Sequence, residues 1–94
     1  MHHTDDGHSG RFALTIDGAH AGELDYVYTD ASTAVITHTG VDPAHRGEGL
    51  GLVLLKAFSA FARDRELSVV PRCSYAAAMY RKNPDLAQGL VKGS

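Results

Sequence analysis

Residues 41–55 of this 94-residue chain read VDPAHRGEGLGLVLL and carry three glycines at alternate positions, Gly47, Gly49 and Gly51. The aliphatic run after the glycines is typical of the start of a helix. A helix N-terminus leaves amide N–H groups without partners and carries a partial positive charge, so an anion binds there when the backbone can approach it. Glycine allows that approach because it has no side chain. The stretch therefore predicts a phosphate-binding loop.

Two common phosphate motifs do not fit this stretch. A P-loop needs GxxxxGK[ST], and no Lys-Ser or Lys-Thr pair follows the glycines. A dinucleotide fingerprint needs GxGxxG, and from either available start its last position is a leucine. The pattern that remains is Arg-x-x-Gly-x-Gly, formed by Arg46, Gly49 and Gly51.

The first half of the chain alternates apolar and polar residues, which indicates strands. The Asp17-Gly18 pair is typical of a tight turn and predicts one between the first two strands. All connections are short, so we expect an antiparallel meander. The predicted strands are 11–17, 23–29 and 33–41.

In the second half of the chain the spacing of the apolar residues changes. Apolar residues recur every three or four positions from Leu50, which predicts an amphipathic helix of about 15 residues. A short apolar strand over 66–72 should then run parallel to strand 33–41 through a crossover. A second helix is predicted over 74–82, with Ser74 as its N-cap.

These elements predict a mixed α/β sheet in the order β-β-β-α-β-α, with helices packed on it. We expect residues 1–10 to be a flexible polar tail. Residues 11–94 should form a single domain, because no linker or repeat divides them and their number suits one modest core.

Charge is divided unevenly along the chain, although the net charge is only −2. Residues 1–40 hold six acidic residues and one basic residue, whereas residues 41–94 hold five acidic and eight basic residues. The acidic total argues against a nucleic-acid partner. No apolar run reaches the length of a membrane span, so no membrane partner is expected.

The cysteine and histidine content of the chain argues against disulfide bonds and metal sites. The one cysteine, Cys73, excludes an internal disulfide and a multi-cysteine zinc site, and it fits a reducing cytoplasm. The histidines are not spaced as metal ligands on a regular element, so no metal is predicted.

Two longer stretches sharpen the loop motif: THTGVDPAHRGEGLGLVLL over 37–55 and VVPRCSYAAAMYRKNPDLAQGLV over 69–91. With Arg46-x-x-Gly49-x-Gly51 they resemble the GNAT superfamily of acyl-CoA-dependent N-acyltransferases. The resemblance is strongest over 35–94 and is to a minimal, single-domain branch often labelled YjdJ-type. It implies a minimal GNAT-like fold in which strands 33–41 and 66–72 splay apart and hold pantetheine between them.

The resemblance also implies that acetyl-CoA is the co-substrate and that the glycine loop binds its pyrophosphate. Arg81, near the end of the second helix, could meet the 3′-phosphate, or it could offset the negative end of that helix. The expected cofactor-binding residues are Val41, Arg46, Gly47, Glu48, Gly49, Leu50, Gly51 and Arg81.

His38 and Cys73 are the candidate catalytic residues. By strand alternation His38 shares a face with Ile36, and its imidazole could take the proton of an acceptor amine or could be a bonded structural residue. Cys73 precedes a helix, where a thiol gains thiolate character. It could carry the acetyl group, shape the acyl pocket, or be an inert buried cysteine.

Tyr75 and Tyr80 are weaker candidates for the acid that protonates the leaving CoA thiolate, since helix tyrosines are more often core or rim residues. The resemblance implies an N-acetyltransferase that transfers the acetyl group of acetyl-CoA to an amine. The chain has only a turn where larger relatives carry helices, so an open acceptor side favours a protein lysine or N-terminus. The alternative is a non-catalytic CoA-binding or sensing module.

Overall fold

The computed structural model describes residues 1–91 and folds them into one five-stranded sheet with helices on one face. The strands are β1 (His2–Asp5), β2 (Ser9–Ile16), β3 (Ala19–Asp30), β4 (Thr33–Val41) and β5 (Ser68–Pro71). The helices are α1 (Leu50–Asp64), α2 (Ser74–Lys82) and α3 (Pro84–Ala87), and a short 3₁₀ turn, Pro43–His45, precedes α1. Strands β1 to β4 are antiparallel neighbours, and β5 runs parallel to β4. The predicted mixed sheet, meander and parallel crossover are confirmed.

The predicted strand 33–41 and helix 74–82 are found with those bounds. Strand β3 begins earlier than predicted. Asp17 and Gly18 both adopt positive φ, 52° and 80°, and close a tight hairpin. Pairing therefore starts directly after the turn and extends the strand.

The N-cap of α2 differs from the prediction. Cys73, not Ser74, occupies that position, with an extended backbone at φ −69° and ψ 131°. No side chain caps this end of the helix. The first amides of α2 are thereby left available to a group beside them, which bears on the chemistry of the cysteine.

The expectation of a flexible tail over residues 1–10 is wrong, because strand β1 pairs with β2 along its whole length. The ring of His3 stacks on Phe12 with centroids 3.9 Å apart, and its Nε2 lies 2.6 Å from the Tyr26 hydroxyl. The Tyr26 hydroxyl in turn donates to the Asp5 carboxylate at 2.6 Å. Polar side chains that the sequence predicts to be exposed to solvent thus contact other residues of the sheet.

A single core lies between the sheet and the helices. Helices α1 and α2 both contribute to it, and they are joined by a buried 2.9 Å hydrogen bond between the Ser59 and Tyr80 hydroxyls. Both helices therefore pack on the same face, and no described helix covers the opposite one, which we call the outer face. Members of the core are Phe12, Leu24, Tyr26, Ile36, Leu54, Leu55, Phe58, Ala76 and Tyr80.

A bulge interrupts the pairing of β3 and β4. Tyr26 pairs with Ile36, but the next residue of β3, Asp25, pairs with His38, so Thr37 is an extra residue. The Thr37 hydroxyl contacts the Asp25 carbonyl oxygen at 3.3 Å. The expectation that His38 shares a face with Ile36 is wrong, because the extra residue moves His38 to the outer face.

Candidate functional site

Strands β4 and β5 separate part-way along the sheet, as predicted. Their pairing ends at Ile36 and Pro71, and β4 continues to Val41 alone. The Ile36 carbonyl accepts from the Arg72 and Cys73 amides, at 3.1 and 3.0 Å, and this closes the paired part. Beyond it a gap opens, bounded by the end of β4 on one side and by the start of α2 on the other.

The glycine loop closes one end of this gap. The Asp42 carboxylate accepts from the Ala44 amide at 2.9 Å and caps the 3₁₀ turn, while the Asp42 amide donates to the Ala21 carbonyl at 2.7 Å. His45 Nδ1 lies 3.1 Å from the Glu48 carboxylate. These contacts fix the loop between β4 and α1 without using its glycines.

Gly47 and Gly49 adopt positive φ, 84° and 73°, a conformation that other residues rarely adopt. The Arg46 and Glu48 amides are engaged in turns, donating to Pro43 and His45 at 3.4 and 3.3 Å. The Gly47 and Gly49 amides make no backbone hydrogen bond within residues 1–91. The amide N–H groups of Gly47 and Gly49 are therefore the free hydrogen-bond donors of the loop.

Helix α1 begins directly after the loop with an uncapped end. Its N-cap is Gly49, which offers no side chain to the first-turn amides, and the first turn holds no acidic residue. The amides of Leu50 and Gly51 thus stay at a positive helix terminus that an anion can approach. Arg46, Glu48 and Gly49 are exposed. The loop and the helix terminus together match the needs of a phosphate group.

Cys73 lies at the opposite wall of the gap, half-buried. Burial on its own raises the pKa of the thiol. The neighbouring Ala76 and Tyr75 amides and the Thr39 hydroxyl and amide favour the thiolate, and together they outweigh burial and lower the pKa. The thiol therefore has more thiolate character than an ordinary cysteine.

Thr39 is a site residue that the sequence analysis missed. Its Oγ1 is buried, has no hydrogen-bond partner within residues 1–91, and neighbours Cys73. A buried hydroxyl without a partner is costly, so this hydroxyl is available to bond to a polar group of a ligand. Its position next to His38, inside the stretch 37–55 that carries the family resemblance, was the signal that could have found it.

Tyr75, in the first turn of α2, reaches across to the start of α1. A β-carbon at Gly51 would overlap the Tyr75 hydroxyl, so the ring packs directly on this glycine. Burial and the neighbouring Cys73 raise the pKa of Tyr75, which keeps its hydroxyl protonated. Tyr80 is buried in the core against Ser59, away from the gap.

His38 lies on the outer face beside the gap. Its Nε2 is 2.7 Å from the Glu23 carboxylate, whose other oxygen is 2.6 Å from His20 Nε2. Burial alone raises the pKa of Glu23, but the hydrogen bonds from both histidines outweigh it and lower the pKa. A β-carbon at Gly40 would overlap this carboxylate, so the side chains lie flat across that glycine.

The structure brings most of the predicted site residues together but not Arg81. Val41 ends β4, and the loop and α1 follow it directly. Arg81 is exposed in the last turn of α2. The first turn of that helix contacts Gly51, so Arg81 lies at the end remote from the loop and borders a separate pocket with Pro71 and Pro84.

A family model described as GCN5-related N-acetyl-transferase matches residues 11–89. The chain belongs to this family. The confirmed fold has the GCN5-related architecture, including the separated strands and the glycine loop before α1. No curated protein matches the chain at a significant level.

Solved structures agree with the GCN5-related family. The solution structure of a GCN5-like protein from Staphylococcus aureus is 28% identical, with a TM-score of 0.72, and the match covers 99% of this chain and 89% of that one. The ribosomal-protein-S18-alanine N-acetyltransferase of Escherichia coli is 24% identical over 85% of this chain, with a TM-score of 0.66. A ribosomal-protein-alanine N-acetyltransferase of Brucella melitensis is 20% identical over 83%, with a TM-score of 0.67. The chain spans 53% and 62% of these two longer enzymes, which share its fold.

No helix in residues 1–91 is long and apolar enough to cross a membrane. The same residues hold no group of three or more His, Cys, Asp or Glu side chains arranged to bind a metal ion.

Proposed function

We propose that this GCN5-related protein is an acetyl-CoA-dependent N-acetyltransferase. The observation that carries the proposal is the direct continuity of three features: the gap between β4 and β5, the glycine loop, and the uncapped start of α1. A pyrophosphate at the free amides of Gly47, Gly49 and α1 leaves the pantetheine arm to enter the gap toward Cys73. The basic second half of the chain supports an anionic co-substrate at this side.

In this proposal backbone amides make most of the contacts with the pyrophosphate. The amides of Gly47 and Gly49, with those of Leu50 and Gly51, bind the pyrophosphate, and Arg46 adds a charge-assisted contact from the exposed side of the loop. Val41 ends the strand that lines the gap. Arg81 is too remote for the loop, and we assign it to the last turn of α2, where a cation offsets the helix dipole.

Acetyl-CoA supplies the thioester, and the chain holds it where an amine can attack. Holding two reactants together supplies a large part of the rate enhancement in such transfers. Tyr75 supports proton delivery to the departing thiolate, because its hydroxyl is protonated and lies between Gly51 and Cys73. Cys73 and Thr39 line the acyl end of the gap.

The acceptor in this proposal is an amine that approaches from the outer face. No described helix covers that face, and residues 1–40, which form most of it, carry an excess of acidic residues. An open, acidic surface suits a protonated amine on a large molecule, such as a protein lysine or N-terminus. The reducing cytoplasm suits the single thiol at the site.

The test is acetyl transfer by the purified chain. We would incubate it with acetyl-CoA and a lysine-containing peptide whose N-terminus is free, and follow free thiol and peptide mass together. The proposal expects CoA thiol in equal amount to acetylated peptide. Tight binding of acetyl-CoA with no transfer to any amine would instead support a CoA-binding or sensing module.

A second experiment separates the roles of Cys73. Direct attack by the amine needs no acetyl-cysteine, so Cys73→Ala should keep much of the rate, and His38→Ala should cost more, about 10²–10⁴-fold for a lost general base. Wild-type protein incubated with acetyl-CoA alone should gain no acetyl mass on the peptide bearing Cys73. Rapid, kinetically competent acetylation of Cys73 would make the reaction ping-pong and reverse this assignment.

A further inference from the structure

His20, Glu23 and His38 form a compact cluster on the outer face, bridging β3 and β4. One carboxylate holds two imidazoles, at 2.6 Å to His20 Nε2 and 2.7 Å to His38 Nε2. The Glu23 side chain is 18% exposed, while the histidine side chains are about half exposed, at 49% and 54%. The carboxylate is therefore sheltered beneath two rings that reach solvent.

The hydrogen-bond chemistry fixes which ring nitrogen carries a proton. An ionised carboxylate only accepts hydrogen bonds, so the Nε2 atom of each neutral imidazole must be the donor. The Nδ1 atom of His38 is then the acceptor, and it makes no hydrogen bond within residues 1–91. His38 thus presents a free basic nitrogen to solvent.

The position of the cluster links it to the gap. His38 directly precedes Thr39, which contacts Cys73, and the bulge at Thr37 turns the imidazole away from the helices. Along this stretch β4 is no longer paired with β5. A thioester held at this free strand edge would therefore have the His38 imidazole on the face that no described helix covers.

We propose that Glu23 is a positioning residue that holds His38 with Nδ1 free to deprotonate the acceptor amine. This inference rests on the proposed acetyl transfer and adds the residue that orients the base. The ammonium R–NH₃⁺ gives one proton to Nδ1, and the carboxylate stabilises the imidazolium that results. The amine then forms the C–N bond, the C–S bond breaks, and the second amine proton leaves with CoA thiol. His20 supplies the second hydrogen bond that fixes the carboxylate.

The neighbouring carboxylate provides a matched control. Asp25 lies two residues further on the same strand and the same face. It is the cross-strand neighbour of His38, but its carboxylate is engaged by Arg11 at 2.6 Å and is not hydrogen-bonded to a histidine among residues 1–91. Glu23→Gln and Asp25→Asn each replace one acidic group by its amide. Only the first changes a hydrogen-bond partner of His38.

The spectroscopic test observes the histidine ring protons in solution. Proton NMR of wild type should show downfield Nε2–H signals for His20 and His38 that exchange slowly with water. Variants His20→Gln and His38→Gln assign them. Asp25→Asn should keep both signals unchanged. Glu23→Gln should lose the His38 signal or move it upfield, because the amide offers one neutral acceptor oxygen in place of two charged ones. An unchanged His38 signal in Glu23→Gln would overturn the proposal without reference to activity.

The kinetic test uses acetyl-CoA with the lysine-containing peptide. Glu23→Gln should lower kcat about 10- to 100-fold, less than the loss expected for the base itself, with the KM for acetyl-CoA unchanged. Asp25→Asn should retain the wild-type kcat. If wild type is active and Glu23→Gln has the same kcat, this inference alone is overturned. Inactive wild type would overturn the proposed function as well, so the two failures are distinguishable.

Discussion

The Tyr75 hydroxyl occupies the space that a β-carbon on Gly51 would fill, joining the first turn of α2 to the first turn of α1. The sequence suggested that this glycine is needed for a phosphate to approach, and the structure gives it a second role. The contact sets the distance between the two helix ends that bound the gap. It therefore ties the geometry of the loop to that of the Cys73 wall.

The first prediction concerns this contact. Gly51→Ala should destabilise the protein, because a methyl group overlaps the Tyr75 ring and overpacking costs about 1–3 kcal/mol, more than the gain of up to about 1 kcal/mol in helix propensity. Adding Tyr75→Ala should remove part of the loss. Urea unfolding of the two single variants and the double variant measures the coupling, expected at about 0.5–3 kcal/mol. Strictly additive effects would show that the two residues do not touch in solution.

The second prediction is the reactivity of Cys73. Because its pKa is lowered, iodoacetamide should modify the folded protein at a lower pH than it modifies the unfolded chain. Thr39→Val should shift the reaction to higher pH, whereas Thr29→Val, an exposed change on β3, should not. Acetyl-CoA should protect the thiol. An alkylation profile identical to that of the unfolded chain would contradict the described surroundings of Cys73.

The third prediction concerns strand β1. Burial lowers the pKa of His3, so the unfolded state binds more protons than the folded state just below the ordinary histidine value of 6.5. The contribution of His3 to stability is therefore full above about 6.5 and is lost as the pH falls toward the lowered folded value. Hydrogen exchange should show the β1 amides losing protection over this range, and less so in His3→Gln. Equal pH sensitivity in both proteins would contradict the role of His3.

The sequence predicted the strand order, the crossover and the glycine loop because each depends on local patterns. Alternation, helical periodicity and turn glycines are local signals, and β4 and α2 were found with the predicted bounds. The face of His38 could not be predicted, because one extra residue at Thr37 reverses the alternation beyond it. Strand β1 was missed for a related reason, since the partners of its polar side chains, Phe12 and Tyr26, are remote in sequence.

The pairing of Thr39 with Cys73 also depends on long-range geometry. The two residues lie on elements joined only by the β4–α1–β5 crossover, and their contact exists because the strands separate after Ile36. The stretches that carry the family resemblance include His38, Thr39 and the cysteine. The structure adds that the threonine, rather than the histidine, contacts the thiol, and that the histidine lies on the outer face.

The measurement that tests the account most directly is acetyl-CoA binding by titration calorimetry to wild type, Gly49→Val and Gly18→Val. Both glycines have positive φ, 73° and 80°, and open space around a β-carbon, so the two substitutions introduce similar backbone strain. Only Gly49 belongs to the proposed pyrophosphate loop. The account predicts that wild type and Gly18→Val bind acetyl-CoA alike and that folded Gly49→Val does not. Unchanged affinity in folded Gly49→Val, or no binding by wild type, would contradict it.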